Sequence, residues 1–111
     1  VKLTVKERLM VMGLLPQETN FLTLKIIRKL EEDLGFNEKE LKELQFVTEG
    51  NIVKWDEAKA LKMDKEISIG EKAMDLISEQ LKKLDKSDKL TKDHLGLYEK
   101  FVLQPDNITQ I

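Results

Sequence analysis

Apolar side chains recur along this chain mostly at helical spacing, with one interruption near its middle where they alternate instead. Thr4-Val5-Lys6-Glu7 has the form of a capping box, in which hydroxyl and carboxylate each satisfy a free amide of the first turn. It opens a first helix that Gly13 can close, with Pro16 discouraging its resumption. Val5, Leu9 and Met12 make the inward face of that helix. A second helix is predicted from Thr19 or Asn20 to Gly35, with Ile26, Ile27, Leu30 and Leu34 as its apolar stripe. Asn37 caps a third, short helix with Glu40 in the box position, and Phe36 and Leu41 stand at hydrophobic-staple spacing across the cap.

The period changes at Phe46. Phe46–Glu49 and Ile52–Trp55 flank Gly50-Asn51, a two-residue hairpin loop in which glycine tolerates positive φ. That loop sets Phe46 opposite Trp55 and Thr48 opposite Val53, and the aromatic pair anchors the hairpin to the helices. Asp56–Asp64 reads as a polar connection, and Lys65–Ile69 is a candidate third short strand. Ser68-Ile69-Gly70-Glu71 is a further capping box opening the longest helix, whose stripe is Ile69, Ala73, Leu76, Ile77, Leu81 and Leu84. Thr91 caps a last helix, with Leu90 and Leu95 as its staple and Tyr98, Phe101 and Val102 inward, and Pro105 ends it. The fold class is therefore α+β and mainly helical, with about five helices and one β-hairpin. Residues 1–103 form a single domain, and 104–111 are a frayed tail.

Composition narrows the functional classes more than it selects one. The chain has 111 residues, 41% hydrophobic and 36% charged, a balance that argues against wholesale disorder. It has no cysteine, hence no disulfide, thiolate ligand or thiol nucleophile. No apolar run is long enough for a membrane span, and no signal-peptide cleavage site follows Leu9–Leu15, so the expected compartment is a cytoplasm. The net charge of −2 is unevenly spread. Lys2, Lys6, Arg8, Lys25, Arg28 and Lys29 face only Glu7 and Glu18 in the first thirty residues, and the remainder is acidic.

Catalytic readings fail first. The lone histidine, His94, has no second histidine or neighbouring nucleophile in sequence, and reads as a partly buried ring bonded locally. The carboxylates lie among lysines on solvated helix faces, and no phosphate loop, calcium loop or zinc spacing is present. No enzyme activity, cofactor or metal is expected. Three helices followed by a hairpin match the element order of a winged helix-turn-helix, which makes a nucleic-acid-associated factor the alternative function. The third helix would then offer Glu38, Lys39, Glu40, Lys42 and Glu43 to phosphates, a poor match in sign.

Two surfaces remain for a partner. On the second helix, Phe21, Lys25, Arg28, Lys29 and Glu32 cluster opposite the core stripe. They form either an aromatic–cationic contact surface or an ordinary solvated face with Phe21 folded back onto Leu15. On the first helix, Met10 and Val11 point away from the inward face, so apolar groups cover much of its circumference. Such a helix is either central or covered by a second chain. The segments Leu22-Thr23-Leu24-Lys25-Ile26-Ile27-Arg28-Lys29-Leu30, Ile69-Gly70-Glu71-Lys72-Ala73 and Leu97-Tyr98-Glu99-Lys100-Phe101 resemble a family of small uncharacterised bacteriophage and prophage proteins. That resemblance covers most of residues 2–102. It implies a phage-encoded accessory protein in a bacterial cytoplasm that acts by binding a protein partner or itself, and it carries over no site residue.

Overall fold

The computed structural model describes residues 1–103, and the tail expected at 104–111 lies outside the described residues. In chain order the elements are β1 (Lys2–Leu3), α1 (Val5–Leu14), α2 (Phe21–Leu34), α3 (Glu38–Leu44), β2 (Val47–Glu49) and β3 (Ile52–Lys54). They continue with α4 (Glu57–Ala60), β4 (Lys65–Glu66), α5 (Glu71–Lys86) and α6 (Leu95–Tyr98). A 3₁₀ turn, Lys92–His94, leads into α6, and a π-helical turn, Glu99–Leu103, follows it. The described chain is thus α+β and mainly helical, with two separate two-stranded antiparallel sheets.

The caps explain where α1 to α3 begin. Thr4 and Asn37 each close a complete capping box, with Glu7 and Glu40, and Asn20 accepts from the Thr23 amide. The end of α1 differs from expectation. Gly13 stays helical, and Leu15 turns extended because the following Pro16 disfavours the helical region for it. The expected third strand exists, but it does not join the hairpin. β4 pairs with β1 in the register Lys2↔Glu66 and Leu3↔Lys65, which buries Leu3 and Ile67. This pairing also moves the start of α5. Ser68 and Ile69 join no helix, and the N-cap is the extended Gly70, without a side-chain bond, rather than Ser68.

One core joins α1, α2, α5 and the carboxy-terminal segment. Leu3, Val11, Leu15, Ile27, Leu30, Leu34, Ile77, Leu81, Leu97 and Phe101 meet there. At the carboxy end the expected staple fails, since Leu95 is largely exposed and Leu97 is buried. A 3₁₀ turn advances about 120° per residue rather than 100°, which rotates the following turn and brings Leu97 inward. The segment is tied to α1 by polar contacts. Lys6 pairs with Asp93 at 2.8 Å, and Lys100 bonds both Glu7 at 2.6 Å and the Lys2 carbonyl at 2.8 Å. Gly96 permits this approach, because a Cβ there would lie 3.3 Å from a Glu7 carboxylate oxygen.

The hairpin keeps the expected register, Thr48↔Val53, and Gly50 takes φ +62° at the first loop position, as type II′ geometry requires. Its six strand residues are all exposed. Attachment runs through its base: Trp55 meets Phe46 edge-to-face at 6.1 Å, Phe46 meets Phe36 at 5.2 Å, and the Asp56 amide bonds the Leu44 carbonyl. Phe36 therefore serves the hairpin rather than a staple, and Leu41 is left exposed. Trp55 is only half-buried. Trp55→Ala should cost about 2 kcal/mol in denaturant unfolding, below the range of roughly 3–5 for a fully buried aromatic. A loss of only a few tenths would show that the ring pair does not anchor the hairpin.

Candidate functional site

The most concentrated chemistry in the described chain surrounds Arg8, whose side chain is fully buried. Its Nε donates to the Leu34 carbonyl at 3.0 Å, one terminal nitrogen donates to the Gly35 carbonyl, and the other meets Glu40 at 2.7 Å. The Phe36 ring lies 4.0 Å from the guanidinium carbon. Two of these acceptors are the free carbonyls at the carboxy end of α2, where a cation is also favoured by the helix dipole. Hydrogen bonding from Arg8 holds the Glu40 carboxyl below its usual range. Among the described residues, no buried side-chain nitrogen or oxygen lacks a partner. A guanidinium whose acceptors are all protein groups is built to hold elements together.

Arg8 also corrects the reading of α1. The inward face is Val5, Arg8, Val11 and Leu15, whereas Leu9, Met10 and Met12 are half-buried. Val11 is therefore a core residue rather than part of a surface for a second chain, and Met10 packs against the margin of the same core. The apolar cover of α1 is explained within this chain by β1, α2 and α5.

His94 sits in a local role, its Nδ1 accepting from the Thr91 amide at 2.9 Å. Among the described residues, no group of three potential metal ligands is brought together. No described helix is long and apolar enough to cross a membrane.

The cluster on α2 does form one exposed surface. Phe21 is 69% exposed and is not folded back as cover for the core, and Leu22 and Leu24 are 72% and 40% exposed beside it. Lys25 reaches over the Phe21 ring, with 5.3 Å from Nζ to the centroid. Arg28 is exposed on the same face, while Lys29 is engaged by Asp33 at 3.0 Å, a bond that raises the lysine's pKa. Periodicity gave Phe21, Lys25 and Arg28 this placement, but it did not single out Leu22 and Leu24. Their signal was present in the sequence as apolar residues preceding the Ile26–Leu34 stripe.

Packing adds a feature that one helix cannot reveal. A groove of about 650 Å³ separates α2 from the amino end of α5, with Ile26, Leu30, Ile69 and Ala73 along it and Lys25 and Lys72 at its edges. A smaller hollow of about 370 Å³ lies between the amino end of α1 and α4, beside Trp55 and Leu61.

Comparison of the chain with protein-family models, with curated proteins and with solved structures gives no match.

The Arg8–Glu40 pair has a pH signature. A carboxyl whose folded pKa is lowered contributes stability that is present in full above its unfolded pKa and is lost as pH falls through the folded value. Unfolding free energy should therefore decline as the medium is acidified below the ordinary glutamate value of 4.5. Glu40→Gln should flatten part of that decline in acid denaturation. A profile of unchanged slope would contradict the bond.

Proposed function

We propose that this chain is a non-catalytic protein-interaction module whose docking surface is the amino-terminal half of α2. The observation that carries the reading is Phe21, exposed on the side of α2 opposite its buried face, with the exposed Leu22 and Leu24 flanking it on either side around the first turn. Scattered exposed apolar residues are ordinary, but neighbouring ones bordered by charge mark contact surfaces. Aromatic residues and arginine are also enriched where binding energy concentrates. Phe21 beside Lys25 and Arg28 fits that composition. Lys29 lies at the margin, restrained by Asp33. Met10 is distant from this role, being packed on the core.

The biological setting we propose, a phage or prophage accessory protein in a bacterial cytoplasm, has its support in the residue resemblance at 22–30, 69–73 and 97–101. Binding of a partner and binding of a second copy both use the same surface.

Phe21→Glu combined with Leu22→Lys should abolish association, read as self-association by sedimentation or as capture of bacterial protein on the immobilised chain. Both positions are solvent-exposed, so unfolding free energy should change by no more than about 0.5 kcal/mol. Association that survives the double substitution in a folded chain would place the docking surface elsewhere.

A further inference from the structure

The carboxy-terminal segment begins at a cap whose acceptor is a histidine, and a proton can take that acceptor away. His94 stands three residues after Thr91, the place that glutamate or glutamine holds in an ordinary capping box. Its Nδ1 accepts the Thr91 amide at 2.9 Å, and the Thr91 hydroxyl lies 3.0 Å from the same nitrogen. A backbone amide can only donate, so this bond requires a neutral ring with its hydrogen on Nε2. A hydrogen on Nδ1 could be accepted by the hydroxyl, but the amide would then face a donor and lose its acceptor. Histidine is the side chain whose charge ordinarily changes between pH 5 and 8, whereas a glutamate would keep its acceptor throughout that range.

The cap governs a segment that completes the core. The 3₁₀ turn that Thr91 opens leads directly into α6, which sets Leu97 inward, and Phe101 is buried one turn later. Charged groups that meet this segment from other elements are already engaged. On α1, Lys6 pairs with Asp93 at 2.8 Å and Glu7 with Lys100 at 2.6 Å. On α5, Asp85 accepts from the Tyr98 hydroxyl at 3.1 Å. Within the turn itself the charged neighbours of His94 are Lys92 and Asp93. The Asp93 carboxyl is held below its usual range, first by the bond from Lys6 and in smaller part by the charge of His94. An imidazolium therefore has a carboxylate to turn to, and in taking it competes with Lys6 for the tie to α1.

We infer that His94 is an acid-sensitive latch, which when neutral caps the turn that docks residues 91–103 on α1 and when protonated lets that segment loosen. One proton binds Nδ1, the Thr91 amide passes to water, and the ring turns to Asp93. The proton binds the loosened form better than the latched one. Latching is therefore favoured at neutral and alkaline pH and is lost as the medium is acidified. Glu40 takes no part in this range, because its carboxyl is held below the ordinary value of 4.5. The latch stands apart from the interaction surface on α2.

The test follows amide hydrogen exchange of the full chain by NMR at about pH 7.5 and about pH 5.5, with rates corrected for the intrinsic effect of pH. Protection at Thr91 and Leu97 should fall about fivefold or more at the lower pH, while Ile77 and Leu81 in α5 keep theirs. His94→Gln supplies an acceptor that does not titrate, and it should hold the protection at both pH values. His94→Ala removes the acceptor and should show the lowered protection at both. Equal protection of Thr91 at the two pH values in the unsubstituted chain would overturn the inference. So would a His94→Gln chain that loses protection as the unsubstituted chain does, or a change at Thr91 that leaves Leu97 untouched. An equal fall at Ile77 and Leu81 would mean global unfolding in place of a released segment, and would overturn it too.

Discussion

A buried guanidinium fixes the relative placement of three helices in this protein. Withdrawing an arginine charge from water costs several kcal/mol, and the cost is offset only when every donor finds an acceptor in good geometry. Arg8 meets that demand by gathering what other elements leave over: the Leu34 and Gly35 carbonyls that end α2, and the Glu40 carboxylate that already serves the cap of α3. Its planar face rests on Phe36, which in turn carries Phe46 and, through it, Trp55. A chain of contacts thus runs from α1 to the base of the hairpin. Any sliding of α2 along α1 would strand a buried charge. A buried ionic cluster of this kind contributes less to net stability than to the choice of one packing over its neighbours.

That choice has a functional consequence. With the carboxy end of α2 held at Arg8, Ile27, Leu30 and Leu34 turn to the core, while Phe21, Leu22 and Leu24, about three turns away, stand in solvent. The amino half of α2 then presents a helix face with apolar and cationic groups that the described residues leave uncovered. The start of α5 lies alongside it, reached from β4, which is paired with β1, through residues 67–70 that join no helix. One short strand pairing and one ion pair therefore position the two sides of the groove.

The sequence was most readable where the signal is local. Caps at Thr4, Asn20 and Asn37, the stripe of α2, and the register about Gly50-Asn51 depend on neighbours within a few residues, and the structure keeps all of them. It was least readable in α1, whose apolar residues surround the helix and leave its phase undetermined. Leu9 and Met12 were as good a face as Val11 and Leu15, and a lone arginine ordinarily argues for the solvent side. The available hint was Arg8's spacing of three from both Val5 and Val11. A two-residue strand such as β1 has no periodicity to detect, and its pairing with residues more than sixty positions away decided the start of α5 against Ser68. The α2 cluster was legible for the same reason as the α2 core, since both follow from a single helical period. The groove beside it was not, because it exists only between two elements distant in sequence.

The dependence of the fold on Arg8 can be measured by equilibrium denaturant unfolding of Arg8→Ala. Removing one partner of a buried, hydrogen-bonded pair should cost about 3–5 kcal/mol, because Glu40 and the two carbonyls lose their donor together. The same substitution should raise amide exchange at the α2–α3 junction and the hairpin base before it does so in α5. A loss below about 0.5 kcal/mol, the range of a neutral surface change, would contradict the account.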